Sequence, residues 1–328
     1  MHNPSRHAVP RRALAALLGG LAPAAAAAQT VSRPVRVVVG FPAGGPTDLV
    51  ARLYAERLRP GYAPAAVVEN RAGASGRLGV EAVRAAEPDG TTLLVTPASV
   101  MVLQPHLFPR EVRFDALTDF VPVCTLCDFG MGIAVPASHP AQDFQQFVAW
   151  LRAQANEVTY GSPAAGSGPH FLGDMTARAV GGRVTHVPYR GAAPAVQDTL
   201  GGRLPMVVTV ISDVAPHHGR GLRVIAVSTR ERVPSLPQVP TLAELGFPQL
   251  TISEWMGLFA PARTPMPLVN ALHQAIAAAV QTSEVRTALE RLEFLPVVEG
   301  PEAFARRIAA DRTAWGPVVA ASGFEVER

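Results

Sequence analysis

The sequence has no lysine, and all 29 of its basic residues are arginine. It therefore cannot contain a G-K-[ST] phosphate-binding loop. Charged residues make up only 17% of the 328 positions and hydrophobic residues 48%, which excludes a disordered chain. Glycine and proline are frequent but do not recur with a fixed period, so a collagen-like chain is excluded as well. The chain is long enough for two ordinary domains or one large one.

The small positive charge of the chain comes from its first 28 residues. They carry three arginines and no acid, so the formal net charge of +3 falls to zero without them. A basic start is followed by an apolar run over residues 13–21 and by small residues that end at Ala28, an order typical of a secretory signal peptide. We expect cleavage at Ala28 and an exported protein, and the paired arginines leave both the general secretory and the twin-arginine routes open. The net charge gives no reason to expect nucleic-acid binding.

Cysteine is nearly absent, since the chain has only Cys124 and Cys127. Their C-x-x-C spacing also occurs in redox and metal sites. The surrounding residues predict a β-strand, along which three residues span about 10 Å and the two side chains point to opposite faces. A disulfide requires Cα atoms within roughly 7 Å of each other. We therefore expect two buried strand cysteines.

Runs with strand and helix periodicity alternate along the rest of the chain. The run VRVVVGF predicts a buried strand, a glycine loop follows it, and LVARLYAERL has the spacing of a helix. Further strands are predicted in AAVVEN, TTLLVT, GIAVP, VTYGS, VTHVP, LPMVVTVI, LRVIAVST and ISEWMGLFAP, with helices between most of them. From residue 264 onward the pattern is helical. This alternation indicates an α/β fold with a mostly parallel sheet.

The pattern divides into two α/β units and a helical tail. The first unit is too short for a complete domain, and the last strand and the tail can complete it. Two crossings, near residues 128–132 and 251–257, then join two lobes. We expect domain 1 to comprise residues 29–130 and 252–328 and domain 2 to comprise residues 131–251. A cleft between two such lobes is the usual place for a ligand.

Three loops have the composition to bind an anion. They are residues 42–48 (PAGGPTD), 161–170 (GSPAAGSGPH) and 189–191 (YRG), and each lies between a predicted strand and a predicted helix. Glycine lets the backbone approach a ligand closely, and free amides at a helix start bind carboxylate or phosphate. Other interpretations stay open: a tight turn with a helix cap for the first loop, a plain connector for the second, and a solvated surface charge for Arg190 in the third.

Motifs for catalysis and metal binding are missing. The sequence has no G-x-S-x-G elbow, and Ser167, His170 and Asp174 follow one another at the start of one predicted helix, which a hydrolase triad rarely does. His217 and His218 are adjacent and cannot readily chelate one metal ion together. An exported α/β enzyme is a possible class, but no base is paired with a nucleophile, so we expect no enzyme activity, metal or cofactor.

Several segments occur in the same order in a known family. They are VRVVVGFPAGGPTDLVARL, VVENRAGASGRLGVEAV, PDGTTLLV, VTYGSPAAGSGPHF, HVPYRGAAPAVQDTLGG, LRVIAVSTRERVPSLPQVPTLAELG and EWMGLFAPARTP. Together they cover nearly the whole chain after residue 28 and resemble the Bug family. These proteins are the extracytoplasmic solute receptors of tripartite tricarboxylate transporters.

The resemblance implies a type II-like periplasmic-binding-protein fold, with two mixed β-sheets flanked by helices and a ligand cleft between two lobes. It implies a periplasmic, monomeric receptor for a small organic anion, such as a di- or tricarboxylate, an acidic amino acid or an aromatic carboxylate. The receptor would deliver this solute to membrane permease subunits. Some members inform a sensor instead, so a ligand-sensing partner of a membrane kinase is the alternative. The resemblance implies no cofactor, no metal and no nucleic acid.

The resemblance also implies which residues contact the ligand. In domain 1 they are Phe41, Ala43, Gly44, Gly45 and Asp48, and in domain 2 they are Ser162, Gly166, Ser167 and His170 of a carboxylate-binding loop, with Tyr189, Arg190 and Gly191 of a Tyr-Lys/Arg-Gly motif. The segment around Asp213 departs from the family pattern, so Asp213 is a weaker candidate. We expect the second loop to provide most of the carboxylate contacts and Arg190 to contribute less.

Overall fold

The fold comes from a computed structural model that describes residue 2 and residues 30–322. The predicted signal peptide lies outside the described residues. The strands are β1 Val35–Val39, β2 Ala66–Asn70, β3 Thr92–Pro97, β4 Phe120–Pro136, β5 Val158–Ser162, β6 Val184–Pro188, β7 Val207–Val210, β8 Leu222–Val227, β9 Ser253–Pro261 and β10 Phe294–Leu295. The helices are α1 Pro46–Ala55, α2 Arg77–Arg84, α3 Gln104–Leu107, α4 Phe144–Arg152, α5 Gly168–Ala179, α6 Ala192–Leu200, α7 Ile211–Val214, α8 Met266–Val280, α9 Ser283–Arg291 and α10 Pro301–Ser322. Within residues 30–322, no helix is both long and apolar enough to cross a membrane.

One part of the sheet, which we call the first sheet region, is built around β1. β1 pairs in parallel with β2 and with β3. β3 pairs antiparallel with β9, and β9 pairs antiparallel with residues 120–130 of β4. This region is mixed because the late strand β9 returns to pair antiparallel with the earlier strands β3 and β4.

The rest of the sheet, the second sheet region, uses the last part of the same long strand. Residues 131–136 of β4 pair antiparallel with β7 and β8. β5 pairs in parallel with β6 and with β7. β4 therefore runs without interruption from one region into the other, and the predicted crossing near residues 128–132 is extended backbone.

Helices cover both faces of each sheet region. In β1, Val37 lies in a core with α1 and α8, whereas its neighbour Val38 lies in a core with α2 and α10. In β4, Ile133 lies in a core with α4 and α5, and Ala134 in a core with α6 and α7. This alternation is the expected result of period-2 side chains in strands that are buried on both faces.

The predicted α/β class with mixed sheets is confirmed, and most predicted elements lie where their periodicity placed them. The domain boundaries stay a prediction. Sequence reasoning missed the π-helical turn at Ser99–Leu103, which leads into α3, and the short strand β10, which pairs with β4 inside the supposedly helical tail.

The two cysteines are buried and free, but one detail of the prediction is wrong. Cys124 and Cys127 belong to the same core cluster and pair with Leu258 and Met256, which also belong to it. The register of β4 against β9 shifts between Thr125 and Cys127, as at a β-bulge. The extra residue brings both thiols to one face of the sheet.

Candidate ligand-binding site

A cavity of about 410 Å³ lies between the two sheet regions. Its walls come from the loops and helix starts that follow strands β1, β3, β5, β6 and β7, which is where open α/β sheets usually bind ligands. The lining consists of residues 41–47, Pro97, Ser99, Phe129, Glu254 and Met256 from the first region, and of Pro163, Ser167, Pro169, residues 190–194, Val196, Gln197, Val210, Asp213 and His217 from the second.

Hydrogen bonds to the carboxyl group of Asp48 fix the shape of the first loop, residues 42–48. The backbone amide of Gly44 and the Nε of Arg52 each donate to Asp48 Oδ2 over 2.9 Å, and Asn70 Nδ2 donates to Oδ1 over 2.9 Å. Burial alone would raise the pKa of Asp48, but the hydrogen bonds from Arg52, Gly44 and Asn70 keep it below its usual value. Asp48 is buried and does not line the cavity, so it holds the shape of the loop.

The starts of α1 and α6 face the cavity without side-chain caps. The N-cap of α1 is Gly45 and the N-cap of α6 is Gly191, and neither can offer a side-chain hydrogen bond. The first backbone amides of a helix have no acceptor within the helix, and the helix dipole makes this end attractive to an anion. Both helix starts can therefore bind a carboxylate.

The second loop is tied together by its own hydroxyl groups. Ser167 Oγ donates to the carbonyl oxygen of Ala164 over 2.8 Å and accepts from the amide of His170 over 3.3 Å. Ser162 Oγ also donates to Ala164 over 3.2 Å, and the Gly166 amide donates to His170 Nδ1 over 3.0 Å. These bonds turn Ser162, Gly166 and His170 inward, and of the four predicted residues in this loop only Ser167 lines the cavity.

Two stacked histidines, His170 and His186, pack against the second loop on the side away from the cavity. The rings of His170 and His186 lie 3.7 Å apart, and His186 Nε2 lies 2.7 Å from Ser162 Oγ. Asp174 lies 3.3 Å from His170 Nε2 and accepts a hydrogen bond from Tyr160 over 2.8 Å. Burial and the neighbouring His170 lower the pKa of His186 to about 3. The cluster has polar groups of a catalytic kind, but Ser162 is fully buried and outside the cavity lining.

Glu254 is a cavity residue that sequence reasoning missed. Its Oε2 accepts from the backbone amide of Ser99 over 2.9 Å, and the Gly168 amide at the start of α5 donates to the same carboxyl group. Burial raises the pKa of Glu254 to about 7. A Cβ on Gly168 would lie 1.7 Å from Glu254 Oε1, so the close approach requires glycine. An acid within the apolar strand ISEWMGLF was the available signal.

The Tyr-Arg-Gly segment divides between two cavities. Arg190 and Gly191 line the cleft cavity and also a neighbouring cavity of about 670 Å³, which Tyr189 lines as well. Tyr189 donates to Asp198 over 2.7 Å. The Arg190 side chain is exposed and has no ion pair within residues 30–322. A Cβ on Gly191 would lie 3.4 Å from Cγ of Pro42, so the two rims of the cleft meet here.

Eight of the thirteen predicted residues therefore lie together around the cleft cavity: Phe41, Ala43, Gly44, Gly45, Ser167, Arg190, Gly191 and Asp213. Asp48, Ser162, Gly166 and His170 lie behind the loops, and Tyr189 lines the neighbouring cavity. The described residues include no cluster of three or more His, Cys, Asp or Glu that could hold a metal ion.

Two curated relatives match nearly the whole chain. BugT of Bordetella pertussis is 30% identical over 309 residues, which cover 94% of this chain and 95% of BugT. A protein encoded between tcbD and tcbE in Pseudomonas sp. strain P51 is 31% identical over 315 residues, covering 94% of this chain and 93% of that protein.

Solved structures show the same fold. A periplasmic transporter protein superposes with a TM-score of 0.85 at 34% identity, covering 90% of this chain and 99% of that one. MatC from Rhodopseudomonas palustris, with bound malate, gives 0.80 at 31% identity, covering 88% and 99%. Rpa4515 from R. palustris, with adipate, gives 0.84 at 29% identity, covering 89% and 97%.

The model of the tripartite tricarboxylate transporter family receptor, TctC, matches residues 50–324. Receptors of this type are periplasmic solute-binding proteins, and the α/β fold with mixed strand pairing described above is shared with such proteins. The chain belongs to the TctC family of tripartite tricarboxylate transporter receptors, which includes the Bug proteins.

Proposed function

We propose that the protein is an extracytoplasmic receptor that captures a small organic carboxylate in the cleft cavity and delivers it to the permease of a tripartite tricarboxylate-type transporter. The observation that carries this proposal is the meeting of two uncapped helix starts and of Arg190, which has no ion pair among the described residues, at one cavity. Amides at helix starts and a guanidinium group are the protein groups best suited to bind a carboxylate.

The carboxylate is expected at the starts of α1 and α6, beside Arg190. The start of α5 is less suited, because Ser167 already caps it and the Glu254 carboxyl group already accepts from Gly168. The main carboxylate contacts are therefore proposed at these two helix starts and Arg190. Sequence reasoning alone places them at the serines of the second loop. Malate in MatC and adipate in Rpa4515 are carboxylates of suitable size, which supports this class of ligand.

The two lobes are proposed to be residues 29–130 with 252–328, and residues 131–251, joined at β4 and at the start of β9. They would close on the solute by rotation about these crossings. The receptor is further proposed to reach the periplasm through a signal peptide cleaved at Ala28. Mass spectrometry of the periplasmic protein tests this, and an intact Met1 on the soluble protein contradicts it.

A thermal-shift screen of the purified mature protein against mono-, di- and tricarboxylates tests the proposed function. A ligand present at 100 times its Kd stabilises the protein by about 2.7 kcal/mol. Titration calorimetry on Arg190→Gln should then show affinity for the best binder reduced about ten- to hundredfold, the usual range for a hydrogen bond to a charged group. Arg230→Gln is the control, since Arg230 is exposed and outside the cavity lining.

The failure of every carboxylate to bind would contradict the proposal, as would equal losses in Arg190→Gln and the control. The alternative role, informing a sensor kinase, predicts a different cellular phenotype. Deleting the gene should abolish uptake of the identified solute if the protein serves a transporter. It should abolish only a transcriptional response to that solute if the protein serves a sensor.

A further inference from the structure

The charged side chains of the cleft cavity do not match a ligand that carries only negative charge. The lining includes one guanidinium group, Arg190, but two carboxyl groups, Asp213 and Glu254, and the imidazole of His217. The Glu254 carboxyl group is satisfied by backbone amides. Asp213 differs from Glu254 in its surroundings.

The carboxyl group of Asp213 has one hydrogen-bond donor among the described residues, at Oδ2. Its Oδ2 accepts from Thr209 Oγ1 over 2.7 Å, and no basic side chain forms an ion pair with Asp213 within the described part of the chain. The lining of the cleft cavity also includes the apolar residues Pro194, Val196 and Val210. Burial in these surroundings raises the pKa of Asp213 to about 6. A carboxylate in such surroundings is costly unless a positive partner compensates its charge.

The positions of Arg190 and Asp213 suit a ligand with separated charges. Arg190 lies two residues before α6, and the cavity follows α6 as far as Gln197. At about 1.5 Å per residue, this stretch of α6 is roughly 8 Å long. Asp213 lies in α7, which packs against α6 through an apolar cluster that includes Val196 and Val214. Ligands with chains of three to six carbons therefore sample the separation of the two charges.

We propose that the solute carries a protonated amine as well as its carboxylate, and that Asp213 binds the ammonium group while Arg190 and the starts of α1 and α6 bind the carboxylate. This inference rests on the proposed function and narrows its ligand to amino acids that carry one carboxylate group and one ammonium group. A second carboxylate at the same place would face the carboxyl groups of Asp213 and Glu254 and would be repelled unless a proton were taken up.

Matched ligands separate charge from shape. 4-Aminobutyrate, pentanoate and glutarate share a chain and a carboxylate and differ at the far end, which is an ammonium, a methyl and a carboxylate group. Calorimetric titration should use this trio, its homologues of three to six carbons and the corresponding α-amino acids. We expect the best amino acid to bind at least tenfold more tightly than its methyl and carboxylate counterparts.

The Asp213→Asn variant tests the residue. It should bind the best amino acid at least tenfold more weakly and the matching dicarboxylate more tightly, so that the preference narrows or inverts. A variant that folds poorly would bind every ligand more weakly. It could not bind one ligand more weakly and another more tightly. Glu231→Gln removes an exposed carboxylate outside the cavity and should leave all affinities unchanged.

The inference is overturned if dicarboxylates bind the wild-type protein more tightly than amino acids, or if Asp213→Asn leaves amino-acid affinity unchanged. In both cases the proposed carboxylate receptor stands. If no member of any series binds, the proposed function fails together with this inference.

Discussion

The carboxyl group of Glu254 accepts a hydrogen bond from the backbone amide of Ser99, with 2.9 Å between Oε2 and the nitrogen atom. The amide of Gly168, at the start of α5, donates to the same carboxyl group. One side chain of β9 therefore joins the turn after β3 to a helix of the second sheet region. It does so at the floor of the cavity, so its protonation affects both the stability of the fold and the charge that a ligand meets.

Replacing Glu254 with glutamine should destabilise the protein by about 1–3 kcal/mol, because one of the two donating amides would then face an NH₂ group. Urea unfolding at about pH 5 measures this, because Glu254 in the folded protein is then in the protonated form that contributes to stability. Glu231→Gln, at an exposed position, should leave the free energy of unfolding unchanged.

The pH dependence of this variant gives a second readout. The pKa of Glu254 is raised to about 7 from an ordinary 4.5, so the folded protein retains a proton that the unfolded chain loses first. The contribution of this retained proton to the free energy of unfolding is complete below pH 4.5. It is lost as the pH rises to 7, and the free energy of unfolding falls by up to about 1.4 kcal/mol per pH unit. The difference between the wild-type and variant curves should change only in this window, and a constant difference would contradict the assignment.

Gly166 should tolerate no side chain. It has a φ of 69°, and a Cβ there would lie 2.5 Å from Cε2 of Phe108 and 3.0 Å from Cδ1 of Leu107. Gly202 has a similar φ of 72° but no atom within 4 Å of its Cβ position. Gly202→Ala should therefore cost only the backbone strain of roughly 1–2 kcal/mol, and Gly166→Ala should cost clearly more. Equal losses in thermal unfolding would show that the contact with Phe108 is easily relieved.

His186 should make the protein sensitive to acid. Its pKa in the folded protein is about 3, whereas the ordinary value is 6.5, so the unfolded chain takes up a proton first as the pH falls. Stability should decline between pH 6.5 and pH 3, by up to about 1.4 kcal/mol per pH unit. His186→Gln removes this titration and should flatten the curve of unfolding free energy against pH. The same change at His273, a half-buried histidine outside the stack, should preserve the slope.

Much of this arrangement could be predicted from the sequence, because strand and helix periods and glycine loops are local signals. The loops around Gly44 and Arg190 lie at the cavity as predicted. Ser162 and His170 have the residue types of a binding site, but hydrogen bonds within the loop turn them inward, and composition does not report direction. The role of Glu254 depends on contacts with residues 155 and 86 positions earlier in the chain, which no local pattern reveals.

Ligand binding should close the cleft. The lobes are predicted to share two crossings, and their rims meet where Gly191 approaches Pro42. Small-angle X-ray scattering should show a smaller radius of gyration when a bound carboxylate saturates the protein. Gly191→Leu places a side chain against Pro42 and should prevent closure and weaken binding, whereas Gly202→Leu, in open space, should preserve both. An unchanged radius in the saturated wild-type protein would contradict closure.

The most direct test of the central claim is a crystal structure of the mature protein with the tightest carboxylate from the screen. The account predicts carboxylate oxygens within about 3 Å of backbone amides at the starts of α1 and α6 and of the Arg190 guanidinium group. A carboxylate bound to Ser162 and Gly166 of the second loop, or outside the cleft cavity, would contradict it.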